Sequence, residues 1–395
     1  MPTSYRPYEP DQVMLLPAAP QDWLPAGHLA HFINDTVDAL ELKAFYARDE
    51  GGGSRNQPFH PAICDFRAFH LKELSELFVQ VVKLAREMGL VKLGTVAIDG
   101  TKVKANASRH KAMSYERMQQ AEVELKAQID ALLARAKAID ETEAHEPELD
   151  LPARIERREQ RLAAIRQARE RLEQRQREAD LQRGRSDDDD RRPRGLDGKP
   201  KGGRYKREFG VPEAKAQENF TDPDSRIMKR AGGGFDPAYN AQTAVDEAAH
   251  IIVAAELDNT APGANWLLPM IQAVGENLGE LPELGLADAG YRSEDNLKNA
   301  PIEVVVALGR EGKEHAEIDA ERYPHTAAMA AKLQTEEGCT AYRKRKWIAE
   351  PPNGWIKNVL GFRQFSMRGL HRVRAEWRLV CMALNLRRMA VLSAS

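Results

Sequence analysis

Apolar residues recur at helical spacing in His28-Leu29-Ala30-His31-Phe32-Ile33 and again from Leu71 to Leu90, which predicts a helical first segment. Gly51-Gly52-Gly53-Ser54 reads as a flexible break within it. The pattern then changes period. Thr95 to Asp99 is a β-branched, apolar run that predicts a buried strand with an acid at its end, and Lys102-Val103-Lys104-Ala105 continues the alternation. Further on, Ile129, Leu132, Leu133, Ala136 and Ile139 form one helical stripe, and Ile155, Leu162, Ile165 and Leu172 form another beyond the acidic, proline-containing stretch Asp140 to Pro152. Together they predict a long helical hairpin inserted after the first strand. Arg158 and Arg169 interrupt the stripe, which argues against a sustained coiled coil. Arg183 to Arg207, with Asp187 to Asp190 inside it, reads as a mobile charged linker back to the body of the protein.

From Tyr239 the chain reads as α/β. Tyr239 to Val245 and His250 to Leu257 are strand-like runs that predict a hairpin across Asp246-Glu247-Ala248-Ala249. Trp266 to Leu278 is helical, Leu284 to Ala287 and Glu303 to Leu308 are short strands, and Ser293 is a candidate N-cap. The last element, Leu370 to Met389, places Val373, Trp377, Val380, Cys381 and Leu384 on one helical face with Arg374, Arg378 and Arg387 off it.

With 395 residues the chain has room for two or three domains and a core that needs no cross-links. Cys64, Cys339 and Cys381 are odd in number and far apart, so they read as free thiols in a reducing, cytoplasmic setting rather than a zinc or disulfide framework. No signal-like or membrane-spanning apolar run occurs. The net charge of −2 is uninformative, but its distribution is not. Residues 1–90 hold 8 Lys+Arg against 12 Asp+Glu, whereas residues 342–395 hold 12 against 2, a local excess of +10. That concentration points to a surface facing phosphates, and beside it stands the plainer reading of a solvated basic helix.

Three acids stand in pointed positions. Asp99 ends the first strand, Asp288 follows Leu284-Gly285-Leu286-Ala287, and Glu350 is one of only two acids after Tyr342. Carboxylates converging from separate elements are what magnesium and phosphate chemistry require. Singly, Asp99-Gly100 and Asp288-Ala289-Gly290 also read as turns, and Glu350 as a surface acid balancing its basic neighbours. His60, His70, His110 and His145 show no ligand spacing, and Gly232-Gly233-Gly234 lacks the context of a phosphate loop. Trp347, Trp355 and Trp377 read either as helix packing or as stacking platforms for unpaired bases.

The motifs Val96-Ala97-Ile98-Asp99-Gly100-Thr101-Lys102-Val103-Lys104-Ala105-Asn106-Ala107-Ser108, Asp222-Pro223-Asp224-Ser225-Arg226, Tyr239-Asn240-Ala241-Gln242, Ala287-Asp288-Ala289-Gly290-Tyr291, and Glu350 followed by Lys357 together resemble the transposases of bacterial insertion sequences with an Asp-Asp-Glu triad. The likeness runs from about Tyr5 to Met389. It implies an α/β, ribonuclease-H-like mixed sheet with Asp99, Asp288 and Glu350 as catalytic metal ligands. It further implies two Mg2+ ions, replaceable by Mn2+, acting on transposon terminal inverted repeats and target DNA, with a homodimer in the DNA complex. DNA contacts are expected from Lys102, Lys104, Tyr291, Arg292, Arg343, Arg345, Lys346, Lys357 and Arg363. The expected domains are a helical DNA-binding segment at 1–90, a catalytic domain at 91–110 and 211–395, and a helical insertion with its linker at 111–210.

Two departures from the family pattern follow. Pro58-Phe59-His60-Pro61 runs straight into Ala62-Ile63-Cys64-Asp65-Phe66-Arg67 without the usual intervening helices, which reads as an internal deletion or as a naturally shorter member. Pro351-Pro352 places Glu350 just ahead of a helix rather than within one. A non-catalytic DNA-binding remnant that binds ends or inhibits a full-length enzyme is the alternative function, and a general nuclease of the same fold is a third.

Overall fold

The computed structural model describes residues 24–25, 27–48, 60–142, 151–187, 204–229, 233–309 and 318–393. Helices α1 (Leu29–Asp38), α2 (Lys43–Arg48), α3 (His60–Phe69) and α4 (Leu71–Glu87) precede strand β1 (Thr95–Lys104). Then come β2 (Ala112–Ser114), α5 (Tyr115–Thr142), α6 (Leu151–Gln182), β3 (Gln217–Asn219) and β4 (Arg226–Lys229). The chain continues with β5 (Phe235–Asp246), β6 (Ile252–Asp258), α7 (Leu267–Leu278), β7 (Leu284–Ala287), α8 (Glu294–Asn299) and β8 (Glu303–Val306), and ends with α9 (Pro324–Gln334), α10 (Glu336–Asn358) and α11 (Leu370–Ser393). Gly51 to Ser54 and most of the expected 183–207 linker lie outside the described residues.

The chain divides into two compact units, Met1–Lys104 with Ala238–Ser395, and Ala105–Pro237. The expected boundaries at 90, 110 and 210 are therefore corrected. Leu74, Phe78, Val81, Val82 and Ala85 are buried along one face of α4, which packs on α11 and α7, so this helix belongs to the body of the first unit.

In the first unit the sheet runs β6-β5-β1-β7-β8. β1 pairs antiparallel with β5 from Val96↔Asp246 to Lys104↔Ala238 and parallel with β7 from Thr95↔Leu284 to Ile98↔Ala287. β8 is parallel to β7, and β6 is antiparallel to β5 as the hairpin pattern predicts. This mixed sheet with its helices is the ribonuclease-H-like α/β arrangement expected from the resemblance. One expectation fails: β1 does not stop at Asp99 but runs six residues beyond the end of its pairing with β7, paired along that run with β5 and bridged at Lys104 to Gln364. The alternation at Lys102-Val103-Lys104 was the same strand continuing.

β6 begins at Ile252 rather than His250, because His250 takes a left-handed backbone (φ 58°) at the turn. A register shift follows, at Ala244/Val245. There the fully buried Asn385 of α11 stands in for a missing strand: the Ile252 N–H donates to its Oδ1 (2.9 Å), and its Nδ2 donates to the Ile252 carbonyl (2.8 Å).

The second unit is the predicted helical hairpin. Met118, Leu125 and Ile129 of α5 meet Leu162, Ile165, Ala168 and Leu172 of α6 in a single apolar core. The arginines that break the stripe are turned to polar partners on α5, Arg169 to Glu122 (2.5 Å) and Arg158 to Gln128 (3.1 Å). β2 and β3 make a two-stranded ladder, and Asp222-Pro223-Asp224-Ser225-Arg226 is a turn in which the Ser225 hydroxyl donates to the Asp222 carbonyl (2.8 Å).

Asn385→Leu keeps the volume but strips both partners from the Ile252 backbone. It is expected to destabilise the protein by roughly 2 to 4 kcal/mol, since a buried unpaired backbone group costs about 1 to 3 kcal/mol. Urea unfolding checks this, and a loss below about 0.5 kcal/mol would show that the strand edge does not depend on Asn385.

Candidate active site

The parallel pairing of β1 with β7 ends at Ile98↔Ala287, so Asp99 and Asp288 are the next residues on two neighbouring strands. Parallel strands in register carry successive residues past the sheet end side by side, which is how two acids 189 positions apart come together. The turn reading of Asp288 also holds, without conflict: its Oδ1 accepts the Gly290 N–H (2.8 Å) and caps a short helical turn, Ala289–Tyr291. The turn reading of Asp99-Gly100 does not hold, because both are ladder residues opposite Thr243 and Gln242.

Glu350 comes from α10, and here the prediction is corrected. Pro351 and Pro352 lie inside one continuous helix, Glu336–Asn358, capped by Thr335, whose Oγ1 accepts the Gly338 N–H (3.0 Å). Proline in a helix forfeits a hydrogen bond to the carbonyl four residues earlier, and the helix persists where another group takes that carbonyl. Glu350, Asn353 and Lys357, spaced i, i+3 and i+7, therefore share a face. Asn353 Nδ2 donates to Asp99 Oδ2 (3.2 Å) and to the Ala349 carbonyl (3.3 Å), while its Oδ1 is buried without a hydrogen-bond partner. Lys357 Nζ donates to the Thr101 hydroxyl, two residues beyond Asp99.

Gly100 leaves the space on which the floor of the site depends. A Cβ there would stand 2.7 Å from Gln242 Nε2, 3.1 Å from the Tyr291 hydroxyl and 3.2 Å from Asn240 Oδ1. Tyr291 is 3% exposed and donates its hydroxyl hydrogen to Gln242 Oε1. Arg345 is likewise buried, and it acts electrostatically on Asp99. Both were expected as DNA contacts; the structure places them among the carboxylates instead. Lys102, Lys104, Arg292, Arg343, Lys346 and Arg363 are exposed, with Arg292 donating to the Leu308 carbonyl (2.6 Å) and Arg363 to Asn358 Oδ1 (2.6 Å). Lys104 and Arg363 are brought near each other by a parallel bridge between Lys104 and Gln364. Asn353 and Gln242 went unnoticed as site residues, although the i+3 spacing of Asn353 from Glu350 was readable.

Burial pushes the Asp99 carboxyl up to about 6; Arg345 opposes, Asp288 adds, the Gly100 N–H opposes and Glu350 adds. Asp99 thus feels both of the other acids. Burial and the negative charge of Asp99 and Asp288 raise the Tyr291 phenol, and burial holds the Lys357 ammonium below its ordinary range. Among the described residues no group of three or more His, Cys, Asp or Glu side chains stands at metal-ligand spacing. Amide donors engage the oxygens instead, Asn353 on Asp99 and Gly290 on Asp288.

The folded chain keeps Asp99 protonated up to about pH 6, against 3.8 for the free side chain. It therefore binds more protons than the unfolded chain between those values, and stability falls as pH rises through that window. Asp99→Asn removes this fall. Without added divalent cations the variant is expected to be more stable than the parent by roughly 1 to 2 kcal/mol at pH 7, with no gain at pH 4, as urea unfolding at the two pH values would register.

Residues 308–390, which include Glu350, match a family model described as a transposase DDE domain. No curated protein and no solved structure matches the chain. The matched segment supplies the helix that closes the site on a sheet already carrying two carboxylates, and over that segment the chain is similar to the DDE domain of transposases.

Proposed function

We propose that the chain cleaves DNA at the ends of a mobile element and joins the freed 3′ ends to target DNA, with Asp99, Asp288 and Glu350 as the catalytic triad. The observation that carries this is the convergence of the three acids: two leave adjacent parallel strands at one level, the third comes from a helix whose Asn353 is bonded to Asp99, and Asp99 feels both of the others.

The chemistry of the donors, carboxylate oxygens, suits a hard cation, although the three side chains do not stand at ligand spacing in this structure. Magnesium is held by one or two carboxylates with waters and substrate phosphates completing its shell, and an acid whose carboxyl burial has pushed up to about 6 is one that a cation would ionise. Asp99 and Asp288 would hold the ions, with Glu350 completing the site. Two such ions, when bound, supply charge neutralisation at the phosphodiester and lower the pKa of the attacking oxygen. The side chains do the rest. Arg345 offsets the charge of Asp99, Asn353 orients its carboxylate, and Tyr291 and Gln242 brace the strand beneath Gly100. Lys357, fixed on Thr101 and short of solvent, is placed to meet a phosphate oxygen next to the reacting one. The exposed Lys102, Lys104, Arg343, Lys346 and Arg363 track the DNA backbone, and the acting form is a homodimer on paired ends.

Asp99→Asn and Glu350→Gln are each expected to lower magnesium-dependent cleavage of cognate end DNA by roughly 1,000-fold while leaving binding intact. Cleavage at the parental rate in either variant would remove the triad assignment. Binding by the parent with no cutting in Mg2+ or Mn2+ would instead mark a DNA-binding remnant, and cutting without end sequences a general nuclease. Lys104→Ala and Arg363→Ala should each weaken binding to all sequences alike and reduce the slope of log affinity against log salt by about 1, as titrations at several salt concentrations would show.

A further inference from the structure

Pro351 removes the N–H that would close the helical hydrogen bond to the Trp347 carbonyl. That carbonyl is not left bare: Nε2 of His250 lies 3.0 Å away. A carbonyl only accepts, so the imidazole carries its hydrogen on Nε2. The ring is set with care. Its backbone is left-handed (φ 58°), the backbone N–H donates to the Asp246 carbonyl (3.1 Å), and the ring stands edge-on to Trp347 (4.6 Å between centroids) and Trp355 (5.7 Å). Those tryptophans lie four residues before and four after Pro351, so one imidazole fills the face of α10 on which proline has opened the ladder. Burial holds the His250 pKa below its ordinary value, with Arg388 reinforcing and the Trp347 carbonyl and Asp246 opposing, which leaves a neutral donor.

Glu350 is the residue immediately before Pro351, and Asn353, which holds Asp99, is two beyond it. From this geometry we infer that His250 is a positioning residue of the cleavage site: its Nε2–H replaces the N–H that Pro351 lacks and fixes the rotation of α10, and so where Glu350 and Asn353 stand relative to Asp99. The inference rests on the transposase reading for its consequence, though not for the hydrogen bond. It explains why a histidine occupies a left-handed position that would otherwise suit glycine or asparagine: those tolerate the backbone, but neither reaches the carbonyl.

The test is a double-mutant cycle on the full chain between His250→Asn, which accepts the left-handed backbone but loses the ring donor, and Pro351→Ala, which restores the helix N–H. Alone, His250→Asn should slow cleavage of prebound end DNA by about 10- to 100-fold without weakening DNA binding. In the Pro351→Ala background the same change should cost less than about threefold, because the Trp347 carbonyl already has its donor. Thermal unfolding of the four proteins should show the same non-additivity. Equal loss of stability in both backgrounds would overturn the hydrogen-bond substitution whatever the chain does to DNA. Coupled unfolding with unchanged cleavage by His250→Asn would overturn the positioning role. A parent that cuts no DNA would count against the transposase reading, and the unfolding cycle would still decide the His250 bond.

Discussion

The burial of Asp99 close to two further acids, Asp288 and Glu350, is the constraint around which the first unit is arranged. Burial disfavours the ionised form of Asp99, and the nearby charges of Asp288 and Glu350 add to that effect. Such an arrangement persists only if the elements carrying the acids cannot drift apart. β1 and β7 are locked in register up to the residue before each aspartate, and Asn353 ties α10 to Asp99. Arg345 returns part of the electrostatic cost from within the site. The raised carboxyl is a strain of the kind that gathers at functional sites.

The frame that bears this strain is stiff where it must be. β1 is central, and β5 is the one strand among the described residues that pairs along its far half, so β5 has to be well anchored. It is: Trp377 is wholly buried and donates its indole N–H to the Gln242 carbonyl (3.2 Å), and Asn385 on the same helix completes the irregular start of β6. α11 in turn rests on α4, which is why an N-terminal helix belongs to the body of the first unit. Glu256 on β6 takes Arg378 and Arg374 from α11, closing the layer with charge as well as with apolar contact.

What could be read from the chain follows the reach of each signal. β7, the β5–β6 hairpin, the Ser293 cap and the helical hairpin are local patterns of period 2 or 3.6, and each forms as the pattern predicts, β6 starting two residues late; Ser293 Oγ accepts the Asn296 N–H at 3.1 Å. Asp99-Gly100 misled because a glycine after an acid looks like a turn, whereas this glycine serves the close approach of Gln242 and Tyr291 across strands. Pro351-Pro352 misled for a related reason. Proline's cost to a helix is a local rule, but the partner that meets it, His250, is 97 residues away. Asn353 is named by no local pattern except its spacing from Glu350. In each case the missing information was tertiary: who stands opposite.

The same distinction revises the basic charge of the C-terminal segment. An excess of +10 over residues 342–395 reads as one DNA-facing surface, yet much of it is engaged inside the fold. Lys344 pairs with Glu247 (2.8 Å), Arg374 and Arg378 with Glu256, and Arg388 donates to the Ala249 carbonyl while covering the Trp355 ring. Arg345 is buried beside Asp99. A phosphate-facing surface must then be drawn from fewer groups and from more of the chain, with Lys102 and Lys104 on the free run of β1 joining Lys357 and Arg363. Lys102 and Lys104 follow Asp99 along β1, Lys357 is bonded to Thr101, and Arg363 precedes the Gln364 that bridges to Lys104. Basic charge gathered there, rather than spread along a terminal helix, would place a phosphodiester over the carboxylates and not merely hold DNA nearby.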